Sequence, residues 1–269
     1  IEFFGNSSIE MDAEKILLHV TTPKVQLILN LRRGMTINKL SFASHDMEPC
    51  VGSLPHGYFT DIKYGADFYS GGVIMELPKE RKRITDLERI VPCVSKTSEG
   101  NILVRSSVFT PLGEIIKTIE ISQLEERVSL SFFFPNWNCV DGSVRLGILT
   151  FLDRFSEKGI RIGCVNGGQN PEKFLFEEEV NHFIPASTLV SASGGFGATT
   201  GEMSLETLEE QTIQISWDPC ECAVIPMLQH VPMGHKNLTR LFFSMSEMDD
   251  TKKAPHKLGF FKLSLGTHT

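Results

Sequence analysis

Aromatic hydroxyl and indole groups are scarce in this chain, with two Trp and three Tyr in 269 residues. No run of about 18 apolar residues occurs, which excludes a membrane-spanning helix. Basic residues are outnumbered, 26 Lys and Arg against 33 Asp and Glu, for a net charge of −7. A surface that tracks phosphates needs the opposite balance, so nucleic acid is not an expected partner. The six cysteines (Cys50, Cys93, Cys139, Cys164, Cys220, Cys222) include no C-x-x-C pair, which argues against a zinc or redox site. They read as free, mostly buried thiols of a cytoplasmic protein. No signal peptide is visible, and the Ile1 start suggests a piece of a longer or processed polypeptide. Internal repeats and low-complexity tracts are absent.

What is present is period-two alternation. In Lys24–Leu31 the apolar Val25, Leu27, Leu29 and Leu31 share one face. The rhythm returns at Val128/Leu130/Phe132/Phe134, Val144/Leu146/Ile148, Ile160/Ile162/Cys164, Ile213/Ile215/Trp217 and Phe261/Leu263/Leu265. Each is the mark of a half-buried strand. Turn-forming clusters separate them at Pro111–Glu114, Pro135–Gly142, Asn166–Pro171 and Asp218–Pro219. Helical spacing is confined to a short candidate at Met203–Gln211. These features predict an all-β chain: a large antiparallel sandwich with few short helices, one domain over residues 1–269. Its strands are expected over about 8–42 and 89–265, with a loop between.

That loop, Leu54–Glu88, holds all three tyrosines together with three Asp and four Gly. Loops this long inside a compact domain usually carry function. Asp61, Lys63, Tyr64, Asp67 and Tyr69 supply charged and aromatic groups within nine residues, and His56 adds one that titrates near neutrality. Planar polar groups bridge sugar hydroxyls while aromatic faces stack on the apolar side of the ring, so carbohydrate is the expected ligand. Trp137 is a second stacking candidate. The alternative is structural, with tyrosines capping the core and aspartates satisfying backbone donors. The glycine cluster Gly194–Gly201 resembles a phosphate loop but lacks the Gly-Lys-Ser/Thr ending and a following apolar helix, so it reads as a turn of close chain approach. Glu247, Asp249 and Asp250 lack the spacing of a calcium loop and read as a solvated turn. No metal or other cofactor is expected, and no G-x-S-x-G elbow occurs.

With Leu54-Pro55-His56-Gly57 early, Asn181-His182 midway and an all-β pattern throughout, the chain resembles the galactose mutarotase-like superfamily. That group includes aldose 1-epimerases and β-sandwich domains of glycoside hydrolases. The resemblance implies His182 as a general acid, His56 as its companion, and Glu221 as the single counterpart of the C-terminal glutamate base. The insert Asp61–Gly72 departs from the epimerase pattern and is closer to the accessory sandwich domains of glycoside-processing enzymes. The expected function is therefore carbohydrate binding in such an accessory domain. Two alternatives stay open: a stand-alone aldose 1-epimerase, and a structural or protein-interaction sandwich.

Overall fold

The computed structural model describes residues 2–4, 6–54, 69–136, 142–152, 155, 159–177, 195–233, 236–246 and 259–267. The first sheet is built from β1 (Glu2–Phe4), β2 (Ser7–Met11), β3 (Leu17–Thr21), β4 (Val25–Asn30), β5 (Thr36–Phe42), β6 (Pro49–Gly52), β7 (Val73–Leu77) and β8 (Lys82–Thr85). The chain then crosses to a second sheet for β9 (Cys93–Lys96), β10 (Ile102–Thr110), β11 (Gly113–Ile121) and β12 (Arg127–Phe133). It returns to the first for β13 (Ser143–Phe151), and adds β14 (Ile160–Cys164), β15 (Glu172–Phe176), β16 (Glu202–Thr207) and β17 (Thr212–Trp217) to the second. Finally β18 (Ile225–Met233) and β19 (Lys236–Ser246) join the first sheet, and β20 (Phe260–Gly266) the second.

The first sheet runs β1-β2-β3-β4-β5-β6-β13-β19-β18, with β7 also on β13 and β8 on β7; the second runs β15-β14-β16-β17-β20-β12-β11-β10-β9. All pairings among these strands are antiparallel, as the alternation requires. This is the expected large sandwich. Short 3-10 turns occur at Leu31–Arg33, Ala43–His45 and Pro78–Glu80.

The inward rows pack into one shared core. Leu27, Leu40, Val51, Leu149, Leu241 and Phe243 of the first sheet meet Ile119, Leu130, Phe132, Phe261, Leu263 and Ile215 of the second. Three sequence expectations change. Met203–Gln211 is not helical: Met203, Leu205 and Thr207 alternate inward along β16, and period two prevails over the Leu205/Leu208 helical spacing. The Leu54–Glu88 segment contains β7 and β8 and is not a continuous loop. Ile148 does not share a face with Val144 and Leu146. A bulge between Leu146 and Leu149, with Gly147 at φ +55°, turns Ile148 outward into a separate cluster with Ile74, Met227 and Phe242.

Two polar clamps cross between the sheets. Lys117 falls on the apolar face of β11 and is fully buried. Its ammonium donates to Gly34 O (2.6 Å), Gly71 O (2.8 Å) and Asp86 Oδ2 (2.7 Å), using all three of its donors. Asp86 Oδ1 in turn accepts the Val73 N–H at 2.8 Å. Gly34 lies at φ +63°, and a Cβ there would stand 1.8 Å from Asp86 O, so the position requires glycine. The second clamp is Glu126. It accepts from the Ser44 N–H (2.9 Å), the Ser44 hydroxyl (2.5 Å) and the Thr267 hydroxyl, joining β5's exit to the ends of β12 and β20. Burial by itself would raise this carboxyl; the hydrogen bonds from Ser44 and Thr267, aided by Lys24, outweigh it and hold Glu126 below the ordinary glutamate value.

Removing one partner of a fully buried ion pair leaves an uncompensated charge, so Asp86→Ala should cost about 3–5 kcal/mol in urea denaturation. Lys173→Ala, which breaks a pair to Glu206 whose lysine is 61% exposed, should cost no more than about 1 kcal/mol. Equal costs would show that the buried pair anchors nothing. Because Glu126 is depressed in the folded state, its contribution is present above the ordinary glutamate value of 4.5 and lost as pH falls through the lower folded value. Glu126→Gln should flatten the acid limb of a melting-temperature profile below that pH.

Candidate functional site

Alternation along β19 sends Leu241 and Phe243 into the core, and Arg240, Phe242 and Ser244 to the outer face of the first sheet. Register then assembles their neighbours. Arg240 lies opposite Gln229 on β18 and Thr150 on β13; Phe242 lies opposite Met227; Arg145 lies opposite Ser244 and Ile74. An outer sheet face is ordinarily solvated. Here Thr150, Gln229 and Arg240 have 0% exposure and Arg145 6%.

The guanidinium of Arg145 stands 5.1 Å from the centroid of the Phe242 ring and that of Arg240 5.9 Å, both within cation–π range. An Nη2 of Arg240 donates to Gln229 Oε1. Two neutral groups beside it, Gln229 Nε2 and Thr150 Oγ1, are buried without a hydrogen-bond partner. Buried polar groups left unmet cost free energy, so this pair next to two guanidiniums is the most exceptional polar feature of the face.

The exit of the tyrosine-rich segment is fastened to this region. The Ser70 hydroxyl donates to Gly52 O (2.5 Å) and accepts the Thr150 N–H (2.8 Å), while Gly71 N–H donates to Ile148 O at 2.6 Å. Tyr69 therefore sits one residue from a group bonded to the Thr150 backbone. It is half-buried, with the Arg33 guanidinium 5.8 Å from its ring centroid. Glu221 is elsewhere: it is exposed in the turn after β17 of the second sheet, its N–H on Asp218 O at 3.2 Å. His56, Asp61, Lys63, Tyr64, Asp67, Trp137 and His182 lie outside the described residues, as do Glu247, Asp249 and Asp250. Sequence reasoning missed Arg145, Thr150, Gln229, Arg240 and Phe242. The available signal was an arginine in the middle of each of two apolar strands, SVRLGILTF and KNLTRLFFSMS.

The glycine cluster behaves as a turn. Phe196 N–H donates to Pro226 O (2.9 Å), and a Cβ at Gly197 would stand 2.2 Å from Asn166 Oδ1. The described cysteines are free thiols. Burial raises Cys50 and Cys222 to about 12, with Glu221 adding to the effect at Cys222, so neither is a nucleophile near neutrality. His230 faces inward. The Asn237 amide donates to its Nε2 (3.2 Å), so Nδ1 carries the proton to Thr239 Oγ1 (2.8 Å), and the ring is neutral.

No family model matches this sequence, and no curated protein does. Solved structures match by shape. An α-N-acetylgalactosaminidase from Bifidobacterium bifidum superposes with a TM-score of 0.58 at 12% identity, over 93% of this chain and 36% of that one. A galactose mutarotase-like protein from Clostridium acetobutylicum gives 0.53 at 10% identity, over 97% of both chains. The chain has the galactose mutarotase-like fold. A TPR-domain containing protein from Parabacteroides distasonis shares that architecture at a TM-score of 0.51 and 9% identity, over 94% of this chain and 47% of that one. This chain thus spans about a third of the glycosidase, and nearly all of the mutarotase-like protein.

Burial lowers the His230 value below the ordinary 6.5. The unfolded chain then binds the proton first, so the associated stability is present above 6.5 and lost as pH falls from there toward the folded value. His230→Gln should remove the part of the melting-temperature loss seen on acidification just below 6.5, a window above that of Glu126.

Proposed function

We propose that this chain is a carbohydrate-binding sandwich that serves as an accessory region of a glycoside-processing enzyme. The sugar is held on the outer face of the first sheet, by Arg145, Thr150, Gln229 and Arg240 around Phe242, with Tyr69 next to Ser70, which bonds Gly52 and Thr150. The observation that carries this reading is the pair of buried, unpartnered groups, Gln229 Nε2 and Thr150 Oγ1, beside two guanidiniums on an outer sheet face. Sugar hydroxyls both donate and accept, so one ring can meet the Thr150 hydroxyl, the Gln229 amide and a guanidinium at once. The Phe242 ring and the neighbouring Ile148 and Met227 supply the apolar surface that a sugar's C–H face needs. Asp61, Lys63, Tyr64, Asp67, Tyr69 and Trp137 are the further binding residues of this proposal. The likeness in shape to an α-N-acetylgalactosaminidase and to a galactose mutarotase-like protein supports a sugar as the ligand.

A second reading draws on the match over nearly the full length of the mutarotase-like protein. In it the chain is a stand-alone aldose 1-epimerase, with His182 as acid, His56 as its companion and Glu221 as base. Both acid and base must reach one anomeric centre. Polarimetry of freshly dissolved galactose and glucose separates the readings, because only the epimerase accelerates mutarotation.

A glycan array probed with the wild type, Gln229→Ala and Asp67→Ala tests the main proposal. The wild type should bind a subset of glycans, and each variant should weaken that binding by about tenfold, the loss of one to two hydrogen bonds. Folded wild-type protein that binds no glycan would favour a protein-interaction sandwich instead.

A further inference from the structure

On the outer face of the second sheet, residues from five adjacent strands fall into one register row. Glu120 on β11 lies opposite Ser129 on β12, Ser129 opposite Ser264 on β20, Ser264 opposite Ser216 on β17, and Ser216 opposite Glu202 on β16. Three serines thus form a floor of small hydroxyls with a carboxylate at each end. Ser129 and Ser264 are within 2.8 Å of each other through their hydroxyls. Long side chains rise beside this floor: Lys262 precedes Ser264 by one step along β20, and Arg127 precedes Ser129 on β12. The result is a trough. Three adjoining clefts of about 320, 480 and 380 Å³ lie along it, and Ser264 lines all three.

We propose that this trough is a second sugar surface that takes an uncharged oligosaccharide chain laid across the strands. The inference rests on the carbohydrate reading of the chain and extends it from a single sugar to a polymer. Adjacent strands repeat at ~4.8 Å, close to the length of one pyranose ring, so a chain crossing the sheet meets one polar side chain per ring. The row from Glu120 to Glu202 crosses four such intervals, or about 19 Å. Serine hydroxyls act as donor and acceptor and suit an equally amphoteric ligand. Charge selects against an acidic polymer. Lys262 already faces Glu120 at 3.6 Å and Arg127 faces Glu125 at 3.2 Å, while Lys24 acts on Glu126, which leaves the carboxylates of Glu202 and Glu221 to set the sign at the far end. The trough and the Arg240 site lie on opposite outer faces of the sandwich, so the two can be occupied at once.

Titration calorimetry with malto-, cello-, xylo- and mannohexaose, each beside its own monosaccharide, tests the proposal. At least one hexaose should bind about tenfold or more tightly than its monosaccharide, as extended contact along a row predicts. Ser216→Arg, which fills the trough from a half-exposed position, and Glu202→Ala, at an exposed one, should each shrink that gap while leaving monosaccharide affinity and melting temperature unchanged. Monosaccharide binding with no gain from chain length, or a gain that survives both variants, overturns the trough alone. Failure of every sugar to bind overturns the carbohydrate reading, and the trough with it.

Discussion

The buried ammonium of Lys117 is the constraint from which much of this architecture follows. A lysine on the inward face of β11, between Ile115 and Ile119, must either reach solvent or find three acceptors. It finds them on three separate stretches of the first sheet: the turn after Leu31–Arg33, the exit of the tyrosine-rich segment, and the residue that follows β8. Desolvating both charges is costly, and the pair is tolerable only because the remaining capacity of Asp86 is also used, on Val73 N–H. Its service is therefore positional. The ion pair fixes Gly71 and Val73, and so sets the register at which β7 enters the sheet beside β13 and presents Ile74 to the outer face.

That outer face depends on one further irregularity. If β13 alternated without interruption, Ile148 would point to the core, and either Leu149 or Leu146 would lose its place against β19. The extra residue of the bulge keeps Leu146 and Leu149 both inward and sends Ile148 out to meet Phe242. Gly147 makes this possible: it takes a left-handed conformation, and a Cβ there would already press on Leu263 at 3.1 Å. The apolar part of the candidate sugar site is thus a by-product of how the core is filled.

Alternation made the sandwich legible in the sequence, since Val25 through Leu265 obey it where a strand faces the core, the bulges of β5 and β13 apart. What it could not reveal is which outer faces are covered. Arg145 and Arg240 alternate with apolar residues as any solvated pair would, yet both are buried. Lys117 was the clearer sign: in EIIKTIEI it takes the place of an apolar residue between Ile115 and Ile119, which only a buried partner explains. The short-helix reading of Met203–Gln211 failed for the converse reason, because two leucines three apart satisfy a helix locally while β14 and β17 decide the matter from either side. Of the sequence-derived site residues, Tyr69 could be related to the first-sheet face because the chain beside it is locked in place; Glu221 belongs to a surface turn of the other sheet.

The core and the outer face of the second sheet both depend on β20. β20 is inserted between β12 and β17, which are joined to it and not to each other, so the second sheet is continuous only once residues 260–266 have docked. The same strand carries Phe261 and Leu263 into the core against Phe132, Phe243 and Gly147, and it brings Thr267 to Glu126. Pairings of such large sequence separation form late and at high entropic cost. Until they form, Ser264 is missing from the serine row, β12 and β17 each lack a partner on one side, and Gly147 lacks its neighbours Leu263 and Phe261. Completion of the core, closure of the second sheet and assembly of the serine row therefore all depend on the docking of β20.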